Sequence, residues 1–246
     1  MKVLTLEYKD FTELFLDINR KIIQEPENYI ENINWNQCYL PFSIFTCEKT
    51  DCNINLNELC YTASKIKTLS RVYIDKERLD TFKNHLKVCK GTSLTYYFNN
   101  VKPKQGTTGN NGPCIIAMVF TKKYRSEKYF SEVNIYYRTT EINRRFYADL
   151  VLFNLLMKEM PQDLIKIEHY NIIIPKAFFH TKTCLFNLNL FGANLNIDNE
   201  VTKQIKAHIN RFKEHGLYNY KSIQRIQLNL EGKLNYPPVQ MEKLSI

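Results

Sequence analysis

The sequence is poor in glycine, contains a single tryptophan and has no pair of cysteines in C-x-x-C spacing. Its seven cysteines are odd in number and widely spaced, which favours reduced, buried or reactive thiols over a disulfide scaffold or a zinc site. No apolar stretch approaches the roughly 18 residues that a membrane span needs, and the first residues do not resemble a signal peptide. We therefore expect a cytoplasmic protein with no membrane partner.

What the sequence does contain indicates a folded protein with anionic partners. Hydrophobic residues make up 44% of the chain and aromatic residues 13%, which argues against disorder. Lysine and arginine outnumber the acidic residues by 34 to 25, a net charge of +9. These basic residues form small separate groups, which suit a solvated surface as well as a nucleotide phosphate site or a nucleic-acid surface. No repeat or linker divides the chain, so we expect one domain over residues 1–246.

The spacing of apolar residues predicts an α+β fold. An N-terminal helix is expected from the capping residue Asp10, with Glu13 at the position of a capping box, up to Pro26. Residues 34–54 are predicted to be irregular, and the glycine-rich residues 106–112 to form a loop. We expect an antiparallel or mixed sheet with helices packed on one face. Further helices are predicted over residues 55–66, 76–88, 142–160 and 199–215, and strands over 93–101, 114–121, 132–140, 170–179 and 222–230.

Pro113 and Cys114 open the most apolar of the predicted strands. A free cysteine is usually buried and inert, but it becomes a nucleophile where a nearby cation or helix terminus lowers its pKa. Arg138, at the end of the next predicted strand, can supply that charge or hold a phosphate with its fork of donors. It can equally reach into solvent. The pattern alone leaves both interpretations of each residue open.

Asp149 is placed unusually for a carboxylate. On a helical projection it falls inside the apolar stripe that begins at Phe146, rather than opposite it. A buried charge needs a partner, because leaving it unpaired costs several kcal/mol or more. That partner is either an arginine of this chain, at position 138, 144 or 145, or a bound polar ligand.

These residues, in this order, resemble the thymidylate synthase family, which includes the deoxycytidylate hydroxymethylases of bacteriophages. Family members have a catalytic cysteine after a proline or a short loop, here Pro113-Cys114. A strand ending in Arg-Ser-x-Asp follows, similar to Arg138-Thr139-Thr140-Glu141, and then a helix that reads the pyrimidine, here Phe146-x-x-Asp149. The closing Tyr236-Pro237-Pro238 and the terminal Ile246 are similar to the family's C-terminal tail.

The resemblance implies a thymidylate-synthase-like mixed β-sheet packed with helices. It also implies a pyrimidine nucleotide C5 one-carbon transferase, acting on dCMP or dUMP through a cysteine adduct at C6, with 5,10-methylenetetrahydrofolate as cofactor. The implied partners are a pyrimidine nucleoside monophosphate and a second copy of the chain in a homodimer, in the cytoplasm of a host cell. The implied roles are Cys114 as nucleophile, Glu58 as proton relay, Arg138 and Thr139 as phosphate ligands, Lys90 as a further phosphate ligand, Asp149 as reader of cytosine, and Glu141 and Ile246 as folate contacts.

The sequence also departs from the family pattern. The paired arginines that hold the phosphate are missing near Lys90, and Arg145 stands where the family has glycine, close to the expected folate site. The ribose-binding histidine and tyrosine correspond to Ala177 and Phe179, although a small shift in register would bring in His180. The alternative is therefore a non-catalytic or repurposed protein of the same fold, which binds a nucleotide, a nucleic acid or a protein partner.

Overall fold

A computed structural model of the protein describes residues 2–59, 63–98 and 114–215. No helix in these ranges is long and apolar enough to cross a membrane. The α-helices of these ranges are α1 (Phe11–Gln24), α2 (Pro26–Tyr29), α3 (Ala63–Tyr73), α4 (Lys76–Val88), α5 (Arg145–Lys158) and α6 (Glu200–His215). The strands are β1 (Val3–Asp10), β2 (Asn32–Asn34), β3 (Gln37–Tyr39), β4 (Phe42–Lys49), β5 (Ser93–Tyr97), β6 (Ile115–Thr121), β7 (Phe130–Tyr137), β8 (Thr140–Glu141), β9 (Ile165–Ile174) and β10 (Ala177–His180).

The strands form two mixed sheets. The larger has the order β1-β4-β9-β7-β6-β5, and the smaller has the order β2-β3-β10-β8. In the larger sheet β1 is parallel to β4 and β7 is parallel to β9, whereas the other neighbours are antiparallel. In the smaller sheet β10 is parallel to β8 and antiparallel to β3. The prediction of an α+β protein with a mixed sheet is confirmed.

One face of the larger sheet is covered by helices. The side chains of β7 alternate, so that Tyr137 is buried while Tyr136 is partly exposed on the other face. On the buried face the ring of Phe146, from α5, packs against Tyr137 at 5.7 Å between ring centroids. The same ring packs against Phe45 of β4 at 6.3 Å. Within the described residues, one hydrophobic core joins the elements from β1 to α6.

The two helices of this layer follow from the sequence. Helix α1 begins after Asp10, whose carboxylate accepts a hydrogen bond from the N–H of Glu13 at 2.9 Å, as predicted. The Glu13 carboxylate reaches one residue further back, to the N–H of Lys9 at 2.7 Å. Helix α5 is buried at every position from Phe146 to Met157, and not along a single stripe. A carboxylate in the middle of such a helix has no solvated side to face.

The N-terminal part of the chain differs from the prediction. Residues 34–54, which were expected to be irregular, contain β3 and β4, and β1 has no predicted counterpart. Where the predicted helix over residues 55–66 is described, it consists of a 3-10 helix, Leu56–Leu59, and the start of α3, which extends to Tyr73. The predicted strand over residues 170–179 divides into β9 and β10. The predicted loop over residues 106–112 and the predicted strand over residues 222–230 lie outside the described residues.

Candidate functional site

Cys114 and Arg138 lie at neighbouring ends of β6 and β7. Cys114 comes directly before β6, and Arg138 directly after β7. The antiparallel register pairs Ile115 with Tyr137, and the N–H of Arg138 donates to the carbonyl of Cys114 at 2.8 Å. The Cys114 side chain is buried. The fold therefore brings together the thiol and the arginine that the sequence singled out.

Asp149 reaches the same place from α5. It is 2% exposed. After burial, its charge is the next cause that raises the pKa of the Cys114 thiol, so the two groups lie within electrostatic reach of each other. Arg145 lies one turn earlier on the helix. Its guanidinium acts to lower the pKa of Asp149 and also that of Cys114. Two strand ends and one helix thus contribute to one cluster.

Tyr73 belongs to the cluster and was not identified from the sequence. Its hydroxyl oxygen accepts a hydrogen bond from the N–H of Cys114 at 3.3 Å. Hydrogen bonding to this hydroxyl also acts to lower the pKa of the Asp149 carboxyl and of the Cys114 thiol. Tyr73 is the last residue of α3. No local motif marks it, because both of its partners are distant in sequence.

The Asp149 carboxyl group is held near its titration point at neutral pH. Burial raises its pKa from 3.8 to about 7, against the opposing effects of Arg145 and of the hydrogen bond with Tyr73. Its Oδ2 atom is buried without a hydrogen-bond partner. A buried polar atom in this state is costly unless something satisfies it. Of the two partners left open by the sequence, a bound polar ligand is favoured for this oxygen.

A second buried polar atom without a partner belongs to the same cluster. Tyr137 is 1% exposed, and its hydroxyl makes no hydrogen bond. Burial, and then the charges of Asp149, Cys114 and Tyr73, raise the pKa of this phenol. Strand alternation assigns Tyr137 to the apolar face of β7 and gives no sign of this environment. Two unsatisfied polar atoms in one buried cluster suit a heterocyclic ligand with several hydrogen-bonding edges.

The Cys114 thiol is not activated in the free protein. Burial, followed by the Asp149 charge, raises its pKa to about 11 and outweighs the lowering effects of Arg145, Tyr73 and Arg138. Arg138 therefore acts to lower the pKa of Cys114, as the sequence predicted, but burial has the larger effect. At pH 7 the thiol keeps its proton, so a nucleophilic step must remove that proton as the reaction proceeds.

Neither the models of known protein families nor the curated proteins give a match to this chain. Its function therefore has to be inferred from the geometry of the cluster itself.

Glu58 and Thr139 are two further residues that the sequence predicts for the site. Glu58 lies in the 3-10 helix Leu56–Leu59 and is half-buried, and burial raises the pKa of its carboxyl group. It is not one of the groups that shift the pKa of Cys114 or Asp149. Thr139 follows Arg138 in the link between β7 and β8 and is also half-buried. Their roles as proton relay and phosphate ligand stay predictions.

Lys90 lies at the far end of β6 from Cys114. It is exposed in the link between α4 and β5, where its carbonyl accepts a hydrogen bond from Nε of Arg125 at 3.4 Å. Ser93, in the strand that follows, pairs with Thr121, the last residue of β6. At about 3.3 Å per strand residue, roughly 20 Å separate the two ends. Lys90 could therefore reach a phosphate beside Cys114 only from a second copy of the chain.

Glu141, a predicted folate contact, is engaged within the chain. Its Oε2 accepts a hydrogen bond from Arg144 at 3.2 Å, and its Oε1 accepts one from the hydroxyl of Thr183 at 2.6 Å. The carboxylate thus ties β8 to the segment that follows β10. Ile246, the other predicted folate contact, lies outside the described residues. Among the residues that are described, no three His, Cys, Asp or Glu side chains gather as candidate metal ligands.

Replacing Tyr73 with phenylalanine isolates the contribution of its hydroxyl. We expect the pKa of Cys114 to rise further, because the hydrogen bond that favours the thiolate is lost. The free energy of unfolding should fall by about 1–3 kcal/mol, since the N–H of Cys114 loses a buried partner. Alkylation of Cys114 by iodoacetamide, followed against pH by peptide mass spectrometry, reports the pKa, and urea unfolding reports the stability.

The matched control is Tyr136→Phe, on the partly exposed face of β7. It should leave both measurements unchanged. An alkylation profile that is the same in Tyr73→Phe as in the unmodified protein contradicts the hydrogen bond between Tyr73 and the thiol.

Proposed function

We propose that this protein is a pyrimidine nucleotide C5 transferase of thymidylate-synthase-like fold, in which Cys114 adds to C6 of the base. The observation that carries the proposal is the buried cluster of Cys114, Tyr73 and Asp149, which retains two unsatisfied polar atoms, Asp149 Oδ2 and the Tyr137 hydroxyl. A nucleophile, a proton-carrying acid and a hydroxyl between them are the groups that addition to a pyrimidine requires.

Asp149 is suited to recognise cytosine. The base edge offers a donor at N4 and an acceptor at N3. With a pKa of about 7, Asp149 can accept from N4–H through one oxygen and deliver its proton to N3 through the other. The pair then becomes a charge-assisted one, which is stronger than a neutral pair. Uracil already carries a proton at N3 and cannot form this ion pair.

The addition step is balanced by proton movement within the cluster. As the sulfur–C6 bond forms, the π electrons of the C5–C6 bond shift to C4–C5 and those of the C4–N3 bond shift to N3, which already holds the proton that Asp149 gave it on binding. The thiol proton moves to the oxygen of Tyr73, whose own proton moves to the Asp149 carboxylate. The net result is a protonated N3 and an electron-rich C5. Because the thiol gives up its proton during the addition, its high pKa in the free protein does not prevent the reaction.

Arg138 and Thr139 are the proposed phosphate ligands, and Arg145 supplies a second cation near the thiol. Arg145 is exposed at the start of α5, whereas Arg138 is half-buried beside Cys114. A guanidinium beside the base site can hold the 5′-phosphate in a fork of two hydrogen bonds. The nucleotide would then span from Asp149, which reads the base, to this cationic end.

The electrophile that C5 attacks is a one-carbon unit. The family resemblance assigns it to 5,10-methylenetetrahydrofolate, and water or hydride then decides between a hydroxymethyl and a methyl product. Glu141 is not free to hold this donor, because both of its carboxylate oxygens are already bound by Arg144 and Thr183, so other residues would have to hold it. The chemistry that we derive from this chain therefore ends at the nucleophilic C5.

A homodimer is part of the same proposal. The face of the larger sheet that is not covered by α1 and α5 carries Tyr97 and Tyr136, which are 61% and 39% exposed, on either side of Ala117 in the cross-strand register. An aromatic pair of this kind on an open sheet suits packing against a second copy. Lys90 could then contribute to the partner's phosphate site.

Binding without catalysis is the second candidate function. It is favoured by the protonated thiol and by the engagement of Glu141, which together leave a nucleotide site without an activated nucleophile or a folate ligand. In that case the cluster would recognise a pyrimidine nucleotide but would form no bond to it.

Intact-protein mass spectrometry with 5-fluoro-dCMP tests the proposed chemistry. Fluorine cannot leave C5 as a proton does, so an adduct that has attacked a one-carbon donor is trapped on the protein. We expect a mass increase equal to the nucleotide plus donor when methylenetetrahydrofolate is present. Stabilisation by dCMP in a thermal melt, without an adduct under any condition, would support the binding function instead.

A further inference from the structure

The single tryptophan of the chain is presented on the surface. Trp35 lies in the turn between β2 and β3 and is 62% exposed. The guanidinium of Arg211, from α6, lies over the indole at 4.8 Å from the ring centroid. His208, one helical turn earlier, meets the ring edge-on at 6.3 Å between ring centroids. The indole is thus contacted by a cation and by an imidazole, and most of its surface remains open to solvent.

The turn that carries Trp35 is held in place by its neighbours. The carbonyl of Asn36 accepts a hydrogen bond from the N–H of Thr181 at 3.0 Å, and that of Asn34 accepts one from Gln204 of α6 at 3.5 Å. Asn36 itself adopts the left-handed conformation, with φ of 72°, which shapes the tight turn. The indole is therefore fixed before any ligand arrives, which reduces the entropy lost on binding.

The surroundings of Trp35 are cationic. Burial, and then the positive charges of Arg211, Lys182 and His180, lower the pKa of His208 to about 4. His208 is neutral at pH 7, so the charge of the patch comes from Arg211 and Lys182 and does not depend on pH near neutrality. Lys203 is paired with Asp198 at 3.2 Å, and helical spacing places the exposed residues Lys206 and Lys213 on the other side of α6 from Arg211.

We propose that this patch, made of Trp35, Arg211 and Lys182, binds single-stranded nucleic acid. A base stacks on the exposed surface of the Trp35 ring while the two cations contact the neighbouring phosphates. Stacking on an exposed aromatic ring next to a basic track is the common mode of single-strand binding, and it accepts any base because every base has a π face. The fixed indole sets this patch apart from a merely basic surface.

The patch is independent of the site around Cys114. Its cations are not among the groups that shift the pKa of Cys114 or Asp149. Nucleic-acid binding can therefore be present whether or not the proposed transferase activity is.

The fluorescence of the only tryptophan reports stacking directly. We expect a twelve-nucleotide oligothymidylate to quench Trp35, and the affinity to fall steeply as salt is raised from about 50 to about 200 mM. Inorganic polyphosphate of similar length should compete but should not quench. Polyphosphate that binds equally tightly, together with an oligonucleotide that leaves the fluorescence unchanged, overturns the proposal in favour of simple anion binding.

Variants separate stacking from charge. By anisotropy of a labelled oligonucleotide, Trp35→Ala should bind about tenfold or more weakly, and Trp35→Phe should retain most of the affinity. Arg211→Gln should weaken binding and reduce the salt dependence by about one phosphate contact. Arg125→Gln, on the exposed link between β6 and β7, makes the same charge change away from the patch and should have little effect. Equal weakening by Arg125→Gln and Arg211→Gln, with no effect of Trp35→Ala, contradicts the assignment.

Discussion

Replacing Cys114 with serine is expected to abolish the nucleotide adduct and to lower any turnover by about a thousandfold or more. A serine hydroxyl is far harder to deprotonate than a thiol, and Tyr73 and Asp149 beside it are poised for a thiol proton. The change is close to isosteric, so the buried start of β6 should still form. Intact mass after incubation with 5-fluoro-dCMP and methylenetetrahydrofolate measures the adduct, and a thermal melt with dCMP measures binding.

The matched control for this prediction is Cys89→Ser. Cys89 is a free, half-buried thiol after α4, and its Sγ has only weak contacts with the carbonyls of Gly91 and Ser93, at 3.8 and 4.0 Å. This variant should form the adduct normally. An adduct that survives Cys114→Ser and is lost in Cys89→Ser would identify Cys89 as the nucleophile instead. Loss of dCMP binding in Cys114→Ser would mean that the substitution disturbs the site rather than the chemistry.

The elements that were predicted well are those with local signals. The helix predicted over residues 76–88 matches α4, because Asp75 caps it by accepting from the N–H of Arg78 at 3.1 Å and its apolar residues repeat with helical spacing. The strands β1 and β4 were not predicted, because each is stabilised by pairing with the other. They pair in parallel across a separation of about forty residues, from Val3 with Phe42 to Asp10 with Lys49. Such pairing leaves no periodic signal near a turn.

The same distinction holds within the candidate site. The burial of Asp149 could be predicted, since α5 is apolar on all sides and any acid in its middle is enclosed. The convergence of Cys114 with Arg138 follows from two consecutive antiparallel strands. Tyr73 could not be predicted, because its place beside Cys114 depends on how α3 packs against the rest of the protein. The pKa of the Cys114 thiol could not be predicted either. Burial raises it by more than Arg138 and Arg145 lower it, and only these arginines are visible in the sequence.

Asp149→Asn should change the pH dependence of stability. The folded-state pKa of Asp149 is raised from 3.8 to about 7, so its contribution to stability is present below about pH 4 and is lost as the pH rises to 7. Asparagine has almost the same shape and carries no charge at any pH. At about 1.36 kcal/mol per pKa unit, the variant should gain about 2–4 kcal/mol relative to the unmodified protein between pH 4 and pH 8. Urea unfolding at both pH values measures this difference.

The control for this measurement is Asp163→Asn, where the carboxylate is exposed on the surface. The effect of that substitution on stability should be nearly the same at pH 4 and pH 8. A pH dependence that is equal in Asp149→Asn and in the unmodified protein would mean that the Asp149 carboxyl group titrates as an ordinary surface acid, and would remove the basis for its proton-transfer role.

The same variant tests which base the site reads. An amide can donate one hydrogen bond and accept another, so the Asp149→Asn protein would pair with either cytosine or uracil by turning the amide group, but it cannot give a proton to N3 of cytosine. The charge-assisted pair is lost, and the preference for dCMP over dUMP should fall by about 10- to 100-fold, equivalent to about 1.4–2.8 kcal/mol. Isothermal titration with both nucleotides, at pH 6 and pH 8, measures the ratio of the two affinities.

In the unmodified protein the preference for dCMP should be stronger at pH 6, because Asp149 then carries the proton that N3 takes. A preference for dUMP that is already present in the unmodified protein at both pH values would instead assign Asp149 to the uracil edge, as an acceptor from N3–H.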